Sequence, residues 1–189
     1  MGFFYGLCYL VFMNHSSVDR LYEGRFVNLV KRGTWEFATR NNVTGIVGIV
    51  AITDDQKLIL VEQFRPPVDS NVIELPAGLA GDHDDPSEPL VKAAKRELLE
   101  ETGYEAELWQ ELFTGAPSAG ICDEILTFFY ASGLKKVQEG GGDEHELITI
   151  HEIHLNKLHV WLRQQEDAGK IIDIKIYSGL FGAKFLLDS

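Results

Sequence analysis

Between Pro86 and Gly103 the chain reads as one helix that must place charged groups beside apolar ones. Asp85 offers an N-cap, Pro86 the first helical position and Glu88 the acidic member of a capping box, while Gly103 is the C′ stop. With each residue advanced by about 100°, Leu90, Val91, Ala94 and Leu98 fill one arc and form the core stripe. Glu97, Glu100 and Glu101 fill the adjacent arc, with Glu101 inside the edge of the apolar stripe. Like charges three and four residues apart oppose a helix, and burial raises the cost unless something positive compensates. Arg96, four residues before Glu100, can offset one of the three. A hard divalent cation can offset them all, because Mg²⁺ prefers oxygen ligands and shares its shell with phosphate oxygens. A bare E-x-x-E-E is ordinarily a solvated acidic face. Here the half-buried angle of Glu101, the Arg96 partner and the Pro76-Ala77-Gly78 turn upstream argue for a site.

Around this helix, strand patterns dominate. Residues 20–40 read as two strands around Lys31-Arg32-Gly33-Thr34, with Trp35, Phe37 and Thr39 alternating. Gly45 to Thr53 is β-branched and apolar, as a buried strand is; Asp54-Asp55 supplies a turn and Lys57 to Phe64 a hairpin partner. Asn71 to Leu75 is a short strand, and a polar loop runs from Gly81 to Pro86. Strands are expected again over 106–113, 124–132 and 146–152, an amphipathic helix over Leu155 to Glu166, and a short strand or helix over Ile172 to Leu187. Strands flanked by two or three helices predict an α/β/α sandwich with a mixed sheet, behind an N-terminal antiparallel strand region. The 189 residues fit one domain over 20–189, with a small appendage over 1–19.

Charge narrows the partners. The net charge of −12 repels phosphate backbones, so nucleic acid is not the expected partner. An anionic small molecule needs local help from a cation or a few Arg residues. Cys8 and Cys122 make no disulfide framework and show no metal-ligand spacing, which suits free thiols in a reducing, cytoplasmic compartment. Met1 to Met13 is nearly all apolar but too short to span a bilayer, and no Lys or Arg precedes Arg20 as a signal peptide would require. Two readings of it stay open: a strand or packing arm, or upstream sequence with Met13 as the true start.

Arg96-Glu97-Leu98-Leu99-Glu100-Glu101-Thr102-Gly103-Tyr104 resembles the second half of the Nudix box, R-E-U-x-E-E-x-G-U, and seven residues separate Glu88 from Arg96 as that box requires. The box has five residues between its first Gly and first Glu; nine stand between Gly78 and Glu88, a four-residue loop insertion near Gly81. Such an insertion costs little free energy. The resemblance implies a Mg²⁺-dependent pyrophosphate hydrolase, with Mn²⁺ as the alternative ion. It implies Glu97 and Glu101 as direct metal ligands, the Ala77 carbonyl as a third, and Glu100 as a ligand or a group held by Arg96.

The flanks resemble one branch of that family, the ADP-ribose pyrophosphatases and related nucleoside-diphosphate-sugar hydrolases. Gln63-Phe64-Arg65-Pro66, Glu74-Leu75-Pro76-Ala77-Gly78 and Pro117-Ser118-Ala119-Gly120 with Asp123-Glu124 are similar to that branch's motifs. Ala119 stands where the branch has Pro, which loosens strict ADP-ribose specificity toward other nucleotide sugars. The resemblance implies substrate contacts from Arg65, Trp35, Glu36, Pro117, Ser118 and Gly120. A guanidinium at the end of an apolar strand suits bidentate phosphate binding. Trp35 suits either stacking on a base or a core position. A Glu after the sheet orients the attacking water in this branch, and Glu144 and Glu146 are the candidates here. The branch also implies a homodimer. The alternatives are a hydrolase of a dinucleoside polyphosphate or an oxidised nucleotide, and a sensor without catalysis.

Overall fold

The computed structural model describes residues 17–81, 85–142 and 147–187. The N-terminal arm, apart from Ser17 to Asp19, and Glu144 and Glu146 lie outside them. The chain opens on three antiparallel strands, β1 (Val18–Glu23), β2 (Val27–Arg32) and β3 (Trp35–Arg40), in that spatial order. The expected pair at 20–40 is thus β2 and β3, and β1 joins them at the edge.

The body of the molecule contains β4 (Gly45–Ala51), β5 (Lys57–Arg65), β6 (Ser70–Glu74), β7 (Ala77–Ala80), α1 (Leu90–Thr102), β8 (Tyr104–Gly115), β9 (Leu126–Lys136), β10 (Thr149–His154), α2 (Leu155–Asp167), β11 (Ile171–Ile172) and α3 (Lys175–Leu187). One sheet runs β7-β4-β9-β8 and a second runs β10-β5-β6-β11. β4 and β9 are parallel, as are β6 and β11; the other pairs are antiparallel. The mixed α/β sandwich is therefore as expected.

Alternation along β4 builds the two sides of the sandwich. Val47, Ile49 and Ala51 point toward α1 and meet Ala93, Ala94 and Leu98. Val50 and Ile52 point the other way, into a core with Leu158 and Leu162 of α2 and Ile176 and Ala183 of α3. Two sequence expectations are corrected here. Lys57 to Phe64 does not form a ladder with Gly45 to Thr53; only the bridge Ile52↔Leu58 joins the two strands. β7 takes one edge of β4 and β9 the other, so β5 turns into the second sheet. The helix also begins at Leu90, not Pro86, and its N-cap is Pro89 at φ −63° and ψ 139°. Pro89 disfavours the helical conformation at Glu88, so no helix can run through both from Pro86. Asp85 instead holds a tight turn, accepting from the Ser87 N–H and hydroxyl at 3.2 and 2.7 Å.

Candidate active site

Three acidic side chains, Glu88 just ahead of α1 and Glu97 and Glu100 on it, meet one arginine. Arg96 Nη1 contacts Glu97 Oε1 at 2.8 Å and Glu100 Oε2 at 3.1 Å, and Nη2 contacts Glu88 Oε2 at 3.3 Å and the Leu79 carbonyl at 2.8 Å. Arg96 thus reaches three carboxylates rather than the single one its spacing suggested. Burial works against its charged form, but the bond from Glu88 and the fields of Glu97 and Glu100 push its pKa further up.

Glu88, freed from helix capping, accepts from the Gly81 N–H at 3.3 Å and so ties together the two ends of the loop that carries the insertion. Its hydrogen bond to Arg96, with the Gly81 bond, holds its carboxyl below the ordinary value near 4.5. A depressed folded pKa contributes stability above the ordinary value and loses it as pH falls through the folded one. Glu88→Gln is therefore expected to be less stable than wild type at pH 7, with the gap closing as pH drops below about 4.5. Urea melts of both proteins at neutral and acid pH measure this, and a gap that does not depend on pH would sink the assignment.

Glu101 is only 4% exposed and accepts from the Ala77 N–H at 3.1 Å. Its burial matches the helical angle read from the sequence. Val91, by contrast, is exposed and Ala93 takes its place in the core. Glu97 lies against Gly78 so closely that a Cβ at position 78 would stand 1.9 Å from its carboxyl carbon. Only glycine permits this approach. The donor set fits a hard divalent cation: several carboxylates with little solvent, one arginine among them, and no soft ligand. Among the described residues, no three acidic, His or Cys side chains already converge as metal ligands. The fit is thus one of chemistry and charge deficit rather than of preformed coordination.

These carboxylates face a cleft of about 970 Å³, large enough for a drug-sized ligand. Ala77, Gly78, Arg96, Glu97, Glu100 and Glu101 form one wall. The same cleft is lined by Gln63 and Arg65 at the end of β5, Glu74 of β6 and Lys175 at the start of α3. Arg65 Nε contacts Glu74 Oε2 at 2.7 Å, a bond that does not use its two terminal nitrogens. Lys175 pairs with Asp173, which also caps its backbone N–H at 2.8 Å. Burial, opposed by Arg65 and helped by Asp173, pushes the Glu74 carboxyl up. Lys175 was not legible in the sequence, because nothing local marks the first residue of a C-terminal helix as lining a cleft built elsewhere.

The remaining called residues divide. Pro117 lines the cleft, whereas Trp35, Glu36, Ser118 and Gly120 do not. Of these, Trp35 and Gly120 meet: the indole N–H of Trp35 donates to the Gly120 carbonyl at 3.3 Å, and Trp35 is 59% exposed. β3 is pinned to the 118–124 loop by Ala38 N–H to Ile121 O at 2.8 Å and by Arg40 Nε to Glu124 Oε1 at 2.5 Å. Arg40 and Glu124 themselves reach the cleft. Among the described residues, no helix is long and apolar enough to cross a membrane.

Known proteins share much of this sequence and its fold. The NUDIX domain family matches residues 44–173. A methanol dehydrogenase activator of Bacillus methanolicus is 34% identical over 156 residues, 79% of this chain and 82% of that protein. An ADP-ribose pyrophosphatase of Bacillus subtilis (strain 168) is 35% identical over 130 residues, 68% of this chain and 63% of its own length. The crystal structure of an ADP compounds hydrolase superposes with a TM-score of 0.72 at 23% identity, covering 91% of this chain and 92% of that one, and so shares the fold.

Proposed function

From the premise that this chain belongs to the Nudix family of hydrolases, we propose that it cleaves the pyrophosphate bond of a nucleoside diphosphate linked to a sugar, such as ADP-ribose. The products are a nucleoside monophosphate and a sugar phosphate. One observation carries the reading: a carboxylate face closed on Gly78 lines the same cleft as Arg65 and Lys175. Family members work with a divalent metal, and we assign Mg²⁺ here, with Mn²⁺ able to replace it. Glu97 and Glu101 would hold the ion, with the Ala77 carbonyl as a third ligand and Glu100 kept in reach by Arg96. When bound, the ion supplies positive charge that polarises the phosphoryl group and acidifies the attacking water.

The chain's own residues supply the rest. Arg65 and Lys175 offer positive charge to the diphosphate, which an acidic protein needs at the one place its substrate binds. Gln63, buried in the wall of the cleft, offers an amide to the same region. Glu144 and Glu146 stay the candidates for orienting the water. The exposed apolar side chains of the first sheet and its β1–β2 turn, among them Tyr22, Phe26 and Trp35, suit a homodimer in which Trp35, Glu36, Ser118 and Gly120 complete a nucleoside site.

Incubation with ADP-ribose, a set of nucleotide sugars and diadenosine polyphosphates tests the reading, with Mg²⁺, with Mn²⁺ and with chelator. Release of nucleoside monophosphate from none of them would overturn it. Arg65→Ala is expected to raise KM roughly 10-fold or more, the worth of a charged hydrogen bond, with kcat far less changed. The solution mass is measured alongside, and a monomer would remove the dimer from the reading.

A further inference from the structure

The last turn of α1 is held by a second piece of chain. Residues 137–142, between β9 and the region of β10, cross it backbone to backbone. Gly141 N–H donates to the Glu101 carbonyl at 2.9 Å and Gly142 N–H to the Glu100 carbonyl at 3.2 Å. The Gln138 side-chain amide donates to the Leu99 carbonyl at 3.1 Å, and Val137 N–H to the Gly103 carbonyl at 2.9 Å. Helix C-terminal carbonyls lack partners within their own helix. Here two of them, those of Glu100 and Glu101, which line the cleft, are satisfied by one glycine pair.

At Gly140 the crossing leaves no room for a side chain. A Cβ on Gly140 would stand 2.4 Å from the Thr102 carbonyl carbon and 2.5 Å from the Gly103 nitrogen. A Cβ on Gly103 would stand 2.1 Å from the Gln138 carbonyl oxygen. Gly140, Gly141 and Gly142 all have positive φ, at 71°, 113° and 78°. The obstacles are backbone atoms, which cannot swing aside as a side chain can.

We infer that residues 137–142 are a positioning clamp that sets the aim of Glu100 and Glu101 by fixing the last turn of α1. The inference rests on the metal-site reading of those glutamates. The clamp acts on them through their own main-chain carbonyls; Gln138, Glu139, Gly140 and Gly142 also line the cleft, so the split between kcat, KM and metal affinity separates positioning from substrate contact. A misplacement of about 1 Å at a reacting group can cost about 100-fold in rate.

Three proteins test it: wild type, Gly140→Ala and Gly169→Ala. Gly169 also has positive φ, 85°, but a Cβ there meets nothing within 4 Å, so it carries the left-handed strain without the collision. At a temperature where all three are folded, Gly140→Ala is expected to lose roughly 10-fold or more in kcat. Its Mn²⁺ affinity, read by electron paramagnetic resonance titration, should fall several-fold, with substrate KM little changed. Gly169→Ala should match wild type. A folded Gly140→Ala with wild-type kcat and Mn²⁺ affinity overturns the clamp. Hydrogen exchange on wild type gives a second readout that needs no variant. The Gly141 and Gly142 amides should exchange as slowly as those in the middle of α1, and exchange at open-loop rates overturns the proposal. A wild-type protein without hydrolysis would instead remove the functional reading beneath it.

Discussion

Glu101→Gln is expected to lower kcat by roughly 100- to 1,000-fold while leaving the fold intact. The two side chains have the same shape, and the amide oxygen can still accept from the Ala77 N–H that Glu101 now bonds. What disappears is a negative charge in a position with 4% exposure. That charge stands four residues from Glu97 on the same helix face, where like charges oppose each other. The variant should therefore melt no lower than wild type in chelator, and it should lose the upward shift in Tm that Mg²⁺ gives wild type. Steady-state kinetics and melts with and without Mg²⁺ make the comparison. Activity within threefold of wild type would end the metal assignment.

Arg96→Met should show the opposite split, with a large loss of stability. Its guanidinium side chain is 19% exposed and touches Glu88 and Glu97 side chains that are 5% and 12% exposed. Removing one partner from a buried ion pair typically costs about 3–5 kcal/mol, because the remaining charge keeps its desolvation penalty without its partner. At the lower figure, about 3 kcal/mol, Tm in a chain of this size falls by roughly 6–12 °C. A divalent cation bound at the same glutamates should return part of that loss. Arg96→Lys should fall between, since an ammonium keeps the charge but cannot fork to three carboxylates and a carbonyl at once. An unchanged melt in chelator would show that the carboxylates do not depend on Arg96.

The site was legible in the sequence where its logic is local to a helix. Glu97, Glu100 and Glu101 share a face because of helical periodicity alone, and the burial of Glu101 follows from its angle to Leu90 and Leu98. The start of that helix was misread, because Asp85, Pro86 and Glu88 each satisfy an N-terminal rule while Pro89 vetoes them together. Contacts between distant segments were beyond reach. No pattern places Gly78 against Glu97, Lys175 in one cleft with Glu101, or Gly140 on Thr102, because each depends on how sheets and loops return in space. The fold class came through because alternating strands and helices leave few ways to layer them. The route of β5 into a second sheet did not, because it depends on which strands occupy the edges of β4.

The contact between Gly78 and Glu97 also bears on how such a protein can change over generations. Any replacement at position 78 adds a carbon where a carboxyl group already stands. That position can change only if Glu97 swings out of its place in the cleft wall, so what holds it against drift is the placement of that one carboxylate. A few residues on, Glu88 draws the loop ends together at Gly81, so the length between them is free to vary. A lineage built on this plan can therefore alter the rim of its cleft by insertion while its centre stays locked, and so reach new substrates without rebuilding the machinery that cuts them.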